Sequence, residues 1–179
     1  MRTQKYINSE HEAISCNGSA APTTDVASSR SVWRILLVDD DQAVRDSING
    51  VLESEGFDVI AAENGQRALD LAKISRIDLI LLDLNMPVKN GWETFYEFTC
   101  EHPLIPIIIL TARPYQLFTA VSAGVGALLE KPMDIPTLLE TIEKLLKEPV
   151  EQRLARLAGR KADFHYKPTT AGNLYTLTN

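Results

Sequence analysis

The chain has 179 residues, 45% of them hydrophobic, and a formal net charge of -6 at pH 7. This length suits one folded domain with extensions, and a domain of more than about a hundred residues can bury a stable core. The negative charge argues against broad nucleic-acid binding, and no apolar stretch approaches the roughly 20 residues that a membrane-spanning helix requires. Two distant cysteines, Cys16 and Cys100, and a polar amino terminus favour a cytoplasmic protein without a secretory signal.

Residues 1–31 form an amino-terminal extension that is rich in Ser, Thr, Asn, Ala and Gly and shows no sustained apolar period. Such a segment buries too little apolar area to offset the entropy that it would lose on ordering. We therefore expect this extension to be disordered.

From residue 32 onward, short apolar runs alternate with segments of helical period, which is the pattern of repeated strand–helix units. The predicted strands cover residues 35–38, 57–61, 79–82, 106–110 and 127–129. Near-continuous apolar strands are typical of a parallel sheet that helices cover on both faces. We therefore expect residues 32–147 to form a doubly wound α/β domain with five parallel strands, the fifth being short enough to lie at an edge.

Capping residues mark the starts of several predicted helices. Asp41 can cap the helix after the first strand, and Asn64-Gly65 turns the chain into the second helix. A third helix passes through Phe95, Phe98 and Thr99, and the fourth, over 114–123, is predicted to have weak intrinsic propensity. The last helix has the clearest pattern, because Asp134 can cap it, Pro136 lies in its first turn, and its apolar residues form one stripe.

Pro149 is expected to end that last helix, because proline disrupts a helix interior. Residues 148–179 then form a carboxyl-terminal tail, in which 150–158 could form one short helix that Gly159 stops. The tail is too short for a helix-turn-helix or winged-helix effector domain, and its weak excess of basic residues does not make a nucleic-acid-binding arm. We expect no second folded domain.

Polar side chains stand at the ends of four predicted strands. Asp39 and Asp40 follow the first strand, Asp83 the third, Thr111 the fourth and Lys131 the fifth. The carboxyl ends of parallel strands lie together, and ligands bind there in open α/β sheets. Three neighbouring carboxylates repel one another unless a cation lies among them, and Mg²⁺ favours oxygen ligands. The sequence therefore predicts a divalent-metal and phosphoryl site.

Five short motifs carry this pattern: Leu37-Val-Asp-Asp40, Leu82-Asp-Leu-Asn-Met-Pro87, Asn90-Gly91, Leu110-Thr-Ala112 and Lys131-Pro132. In this order and spacing they closely resemble the receiver domain of bacterial two-component response regulators, in particular single-domain, chemotaxis-regulator-like ones, over residues 34–147. The resemblance implies a flavodoxin-like strand order, 2-1-3-4-5. It also implies an output surface on strand five and the last two helices.

The resemblance assigns roles to the acidic residues. Asp83 would be the phosphoacceptor, taking a phosphoryl group from a phosphohistidine on a partner kinase. Asp40 would bind Mg²⁺, or Mn²⁺ in its place, directly, and Asp39 would bind it largely through water. Asp83 and the backbone carbonyl of Asn85 would complete the protein ligands.

The resemblance also assigns phosphoryl-binding roles to residues on the fourth and fifth strands. Thr111 would hydrogen-bond to the phosphoryl group, Ala112 is small enough to leave room for it, and Lys131 would pair with it. The peptide bond between Lys131 and Pro132 would be cis. At the output switch position, three residues before the lysine, receivers usually carry Tyr or Phe, whereas this chain has Leu128. Leucine has no hydroxyl, so the usual coupling to the threonine is in doubt.

The leading hypothesis is a stand-alone, Mg-dependent phosphorylation switch or phosphorelay component that promotes only its own phosphotransfer and autodephosphorylation. Its partners would be a sensor histidine kinase or a histidine phosphotransfer protein, and a downstream protein target. We expect no direct nucleic-acid binding and no membrane insertion, and the sequence leaves a homodimer open.

One alternative is a degenerate receiver acting as a phosphorylation-independent adaptor. A haloacid-dehalogenase-type phosphatase is disfavoured, because those enzymes need an aspartate where this chain has Asn85.

Overall fold

The computed structural model describes residues 32–86, 90–113, 115–160 and 163–168. The predicted disorder of residues 1–31 therefore lies outside the described residues. The strands are β1 (Arg34–Val38), β2 (Asp58–Ala62), β3 (Leu79–Asp83), β4 (Ile107–Thr111), β5 (Ala127–Glu130) and β6 (His165–Lys167). The helices are α1 (Gln42–Ser54), α2 (Gly65–Ile74), α3 (Gly91–Glu101), α4 (Leu117–Ala123), α5 (Ile135–Leu146) and α6 (Val150–Leu157).

The sheet has the order β2-β1-β3-β4-β5-β6, and every described pair of neighbouring strands is parallel. The predicted doubly wound fold and the order of the first five strands are confirmed. The sheet has six strands and not five, however, so the prediction that β5 lies at the edge is wrong. β6 has only three residues, too few for an alternating pattern to be recognised in the sequence.

Successive strand residues point to opposite faces of the sheet, and this alternation divides the core into two layers. Leu36 and Val38 of β1 pack with buried residues of α2, α3 and α4. Ile35 and Leu37 of the same strand pack with buried residues of α1 and α5. The strands are thus apolar on both faces, as expected for a parallel sheet between two helical layers. Their carboxyl ends carry the polar residues.

Side-chain caps fix the starts of four helices. Asp41, Asn64, Asn90 and Asp134 each accept a hydrogen bond from a backbone N–H in the first turn of the helix that follows. α4 has no such side-chain cap and begins at Leu117, later than the predicted residue 114. A seven-residue helix with weak intrinsic propensity depends on its packing, and only Ala120 of α4 is buried.

α6 forms where the tail sequence allowed a short helix, and a buried ion cluster attaches it to the domain. Both terminal guanidinium nitrogens of Arg156 bond to the Glu148 carboxylate, and its Nε donates to the carbonyl of Gly124 at 3.3 Å. Arg153 donates to the carbonyl of Leu145, also at 3.3 Å. Among the described residues, no helix is both long and apolar enough to cross a membrane.

The start of α3 packs directly against the end of β3, and Gly91 makes this approach feasible. A Cβ atom built at this position would lie 2.5 Å from the carbonyl oxygen of Asp83 and from the Cα of Leu84. Because both contacts are backbone atoms, no side-chain rotation relieves them. Gly91 therefore allows the helix to sit close beside the residue that ends β3.

We expect Gly91→Ala to destabilise the protein by about 1–3 kcal/mol, because the added methyl overpacks the contact between α3 and β3. Gly50→Ala is the matched control, since nothing lies within 4 Å of a Cβ at that helical position. This change should stabilise the protein by about 0.5–1 kcal/mol, because alanine favours a helix interior. Equilibrium unfolding in urea measures both effects, and equal stability of the two variants would contradict the packing described.

Candidate functional site

The site lies at the carboxyl edge of the sheet, where the strand pairing brings the polar strand ends together. Val38 pairs with Leu82, so Asp39 follows β1 beside the end of β3, where Asp83 stands. On the other side of β3, Asp83 pairs with Leu110, one residue before Thr111 at the end of β4. Four polar strand ends, the three named here and Lys131 after β5, therefore lie in one row.

Lys131 bridges two of the carboxylates. Its Nζ lies 2.6 Å from Asp39 Oδ2 and 3.3 Å from Asp83 Oδ2. Its backbone N–H donates to the carbonyl of Thr111 at 2.8 Å, which ties the start of the lysine loop to the end of β4. The peptide bond between Lys131 and Pro132 is cis, as the resemblance implied. One ammonium group thus serves two acidic side chains.

Asp39, Asp40 and Asp83 each offer a carboxylate oxygen, and these atoms lie within 4.8 Å of one another. Asp39 and Asp83 are buried, whereas Asp40 is exposed. Asp83 Oδ1 is buried and accepts no hydrogen bond from any residue that the structure describes. A buried carboxylate oxygen without a partner is costly, and a hard divalent cation with oxygen ligands would satisfy it. The residues present therefore fit such a cation.

The environment of Asp83 changes its acidity. Burial raises the pKa of Asp83 above its ordinary value of 3.8, and the charge of Lys131 and the backbone N–H of Asn85 partly offset this. The negative charge of Asp39 raises the pKa further. Since the folded-state pKa is raised, Asp83 stabilises the fold when protonated, below its ordinary pKa, and this contribution is lost as the pH rises through the raised value.

The other predicted site residues lie around this row. Thr111 is buried, and its Oγ1 accepts a hydrogen bond from the backbone N–H of Arg113 at 3.0 Å. Ala112 and Asn85 are exposed at the rim. Leu128 is fully buried in the core layer beneath α3 and α4 and is not part of the acidic cluster. The structure thus brings the five strand-end residues together and leaves Leu128 behind them.

Two contacts at the site have no clear signal in the sequence. Arg45 Nη1 donates to the backbone carbonyl of Asp39 at 2.7 Å and so holds the chain where β1 ends. Tyr166 of β6 donates its hydroxyl to Glu130 Oε1 at 2.8 Å, one residue before the site lysine. Neither residue belongs to a motif, and Tyr166 lies 36 positions from its partner.

Comparisons with known proteins agree with this geometry. The family model of the response regulator receiver domain matches residues 35–143 of this chain. The transcriptional regulatory protein CpxR of Escherichia coli K12 is 42% identical over 116 residues, which are 64% of this chain and 49% of that protein. This chain spans about half the length of the curated relatives that it matches.

Solved structures are similar as well. A CheY-like receiver domain protein from Methanospirillum hungatei JF-1 has a TM-score of 0.63 and 32% identity, covering 68% of this chain and 98% of that one. The response regulator TrrA from Thermotoga maritima, solved in complex with Mg(2+)-BeF, has a TM-score of 0.60 and 32% identity. It covers 64% of this chain and 99% of that one. The similarity thus extends over the whole of each receiver structure.

We expect Asp83→Asn to stabilise the metal-free protein at pH 7, because the change removes a buried charge that opposes folding. The gain should shrink towards acidic pH and vanish below the ordinary pKa of 3.8, where wild-type Asp83 is also neutral. Urea unfolding between acidic and neutral pH, without divalent metal, measures this. Asp46→Asn, at an exposed position of α1, is the control and should show no such trend. Lower stability of Asp83→Asn than of wild type at pH 7 would contradict the raised pKa of Asp83.

Proposed function

This chain belongs to the response regulator receiver domain family of two-component signalling systems, and on that premise we propose that Asp83 is its phosphoacceptor. The observation that carries the proposal is the position of the Asp83 carboxylate. It is buried beside Lys131, it lies within the acidic cluster, and one of its oxygens has no partner among the described residues. The donor would be the phosphohistidine of a sensor histidine kinase or of a histidine phosphotransfer protein.

In the proposed reaction, a carboxylate oxygen of Asp83 forms the new O–P bond. The P–N bond to the histidine breaks, and the imidazole keeps its electron pair. Lys131 already lies 3.3 Å from this carboxylate, where its ammonium group can neutralise charge on the incoming phosphoryl group. The Thr111 hydroxyl, at the end of the adjacent strand, can hydrogen-bond to a phosphoryl oxygen. Asp83 is then a signalling phosphoacceptor, and later hydrolysis returns the free carboxylate.

Asp40, Asp83 and the backbone carbonyl of Asn85 would hold Mg²⁺, or Mn²⁺, with Asp39 binding it through water. When bound, the cation would neutralise negative charge on the phosphoryl oxygens. Before the metal binds, Lys131 is the cation that the structure places among these carboxylates. It leaves Asp83 Oδ1 unsatisfied, which supports a second cation at that oxygen.

The output would pass through contacts with another protein. Supporting this, α4 exposes large apolar side chains, with Phe118 82% and Val121 50% exposed. Apolar side chains grouped on a surface are typical of protein-binding surfaces. The phosphoryl group adds roughly one to two negative charges and draws Lys131 and Thr111 towards Asp83, which can shift the neighbouring elements between two arrangements.

Incubation with Mg²⁺ and acetyl phosphate, followed by peptide mapping of the label, tests the proposal. Wild type and the control Asp46→Asn should be labelled at Asp83, whereas Asp83→Asn should not be labelled. If neither acetyl phosphate nor a phosphorylated histidine kinase labels the wild type, the phosphoacceptor assignment is wrong and the adaptor hypothesis is favoured. Rapid hydrolysis of many phosphate esters would indicate a phosphatase instead.

The neighbouring residues Asp40 and Asp41 provide a matched test of the metal site. Asp41 caps α1, and asparagine is an equally good cap, so Asp41→Asn should leave Mg²⁺ binding intact. At about 100 times its Kd, Mg²⁺ should stabilise wild type and Asp41→Asn by about 2.7 kcal/mol. Asp40→Asn should lose most of this gain at the same concentration. Thermal unfolding with and without Mg²⁺ measures the effect, and an equal gain in both variants would exclude Asp40 as a ligand.

A further inference from the structure

Strand β6 covers the outer edge of β5 and brings an aromatic side chain beside Leu128. His165, Tyr166 and Lys167 pair in register with residues 127–129 of β5, so that Tyr166 lies opposite Leu128. Tyr166 packs against the core layer to which Leu128 belongs. Its hydroxyl reaches one residue further along β5 and donates to the Glu130 carboxylate at 2.8 Å.

Glu130 connects this tyrosine with the site. It is the register partner of Thr111 on β4, and the backbone N–H of the next residue, Lys131, donates to the carbonyl of Thr111. Successive residues of a strand point to opposite faces of the sheet, and the side chains of Ile109 and Leu128 share one core layer. Thr111 and Glu130, two positions further along each strand, therefore lie on that same face. A continuous set of contacts leads from the Tyr166 hydroxyl to the Thr111–Lys131 end of the sheet.

The two parts of the tail are attached very differently. α6 is held by a buried ion cluster in which Arg156 bonds to both oxygens of Glu148. β6 is held by three residue pairs, by the partly buried side chains of Phe164 and Tyr166 and by the Tyr166–Glu130 hydrogen bond. One further bond links the segment to the ion cluster, because Arg156 Nη1 donates to the carbonyl of Asp163, two residues before β6, at 3.1 Å. Short edge segments with few buried contacts open at low free-energy cost, whereas breaking a buried ion pair is strongly unfavourable. Opening of β6 leaves the bonds between Arg156 and Glu148 intact, so β6 can leave β5 while α6 stays in place.

Resting on the proposed phosphorylation of Asp83, we propose that Tyr166 is a positioning residue and that phosphorylation releases β6 from β5. Through Glu130, Tyr166 holds the Thr111–Lys131 end of the sheet in its unphosphorylated arrangement. A phosphoryl group on Asp83 attracts Thr111 and Lys131. Its added negative charge repels the carboxylate of Glu130, which pairs with Thr111 in the sheet and directly precedes Lys131 in the chain. Both effects weaken the contact with Tyr166.

Two physical features support this role. Burial, together with the hydrogen bond to Glu130, raises the pKa of Tyr166 to about 12, so the hydroxyl remains a donor throughout the neutral range. Coupling between two sites is also reciprocal. If phosphorylation weakens the Tyr166–Glu130 contact, then removing that contact must favour the phosphorylated arrangement at Asp83 by the same factor.

Hydrogen exchange of the full chain tests the release of β6. With Mg²⁺ and acetyl phosphate, peptides covering residues 163–168 should exchange at least about fivefold faster, the lower end of typical coupling factors. Peptides covering α6 should not change. Intact mass measured on the same sample reports whether Asp83 is phosphorylated. Unchanged or slower exchange of 163–168 in phosphorylated protein would overturn the inference and leave the proposed function standing, whereas an unphosphorylated wild type would overturn both.

Tyr166→Phe tests the positioning role, because it removes the hydroxyl and keeps the ring. It should raise the affinity for Mg²⁺ and beryllofluoride, a phosphoryl mimic, by about fivefold or more, a readout that loss of stability alone does not raise. Glu130→Gln should act in the same direction, and the double variant should add little to either single change. Tyr96→Phe, at a half-exposed tyrosine of α3, is the matched control. Wild-type affinity in Tyr166→Phe would overturn the proposal.

Discussion

The site depends on one ammonium group placed between two buried carboxylates. Lys131 Nζ contacts both Asp39 and Asp83, and without it two like charges would face each other inside the domain. Lys131 compensates the charge of Asp83 only in part, because one oxygen of Asp83 has no partner among the described residues and the pKa of Asp83 stays raised. A buried carboxylate oxygen in this condition is stabilised when a cation binds to it. The order of the parallel strands is what holds these charges at one edge of the sheet.

Much of this arrangement could be predicted from the sequence, because strand ends and helix caps are local signals. Asp39, Asp83, Thr111 and Lys131 each follow a recognisable apolar run, and parallel pairing places the ends of such runs together. β6 could not be predicted in this way, since three residues show no period and their pairing with β5 is set by tertiary packing. The same limit applies to Arg45 and to the buried ion cluster of Glu148 and Arg156, whose members belong to no motif.

The tail places an aromatic residue next to the leucine at the output switch position. In the sequence, Leu128 is a departure from the usual aromatic residue, with no hydroxyl to connect the site to a surface. In the structure, Tyr166 lies beside Leu128 and its hydroxyl bonds to Glu130, the partner of Thr111 in the sheet. An aromatic hydroxyl is therefore present at this end of the sheet, but it comes from a separate strand that a few contacts hold in place. β5 has a strand on each side, whereas Tyr166 belongs to a three-residue strand that is last in the strand order of the described sheet.

The pKa of the Asp83 carboxyl group, measured by ¹³C NMR titration of metal-free protein, tests most directly whether buried charge is balanced by Lys131. Wild type should titrate above the ordinary value of 3.8, and Lys131→Met should titrate higher still, because the nearby positive charge that lowers the pKa is lost. Lys144→Met, at an exposed position of α5, should behave as wild type. An ordinary or depressed pKa in the wild type, or a pKa that Lys131→Met leaves unchanged, would contradict the central role of this interaction.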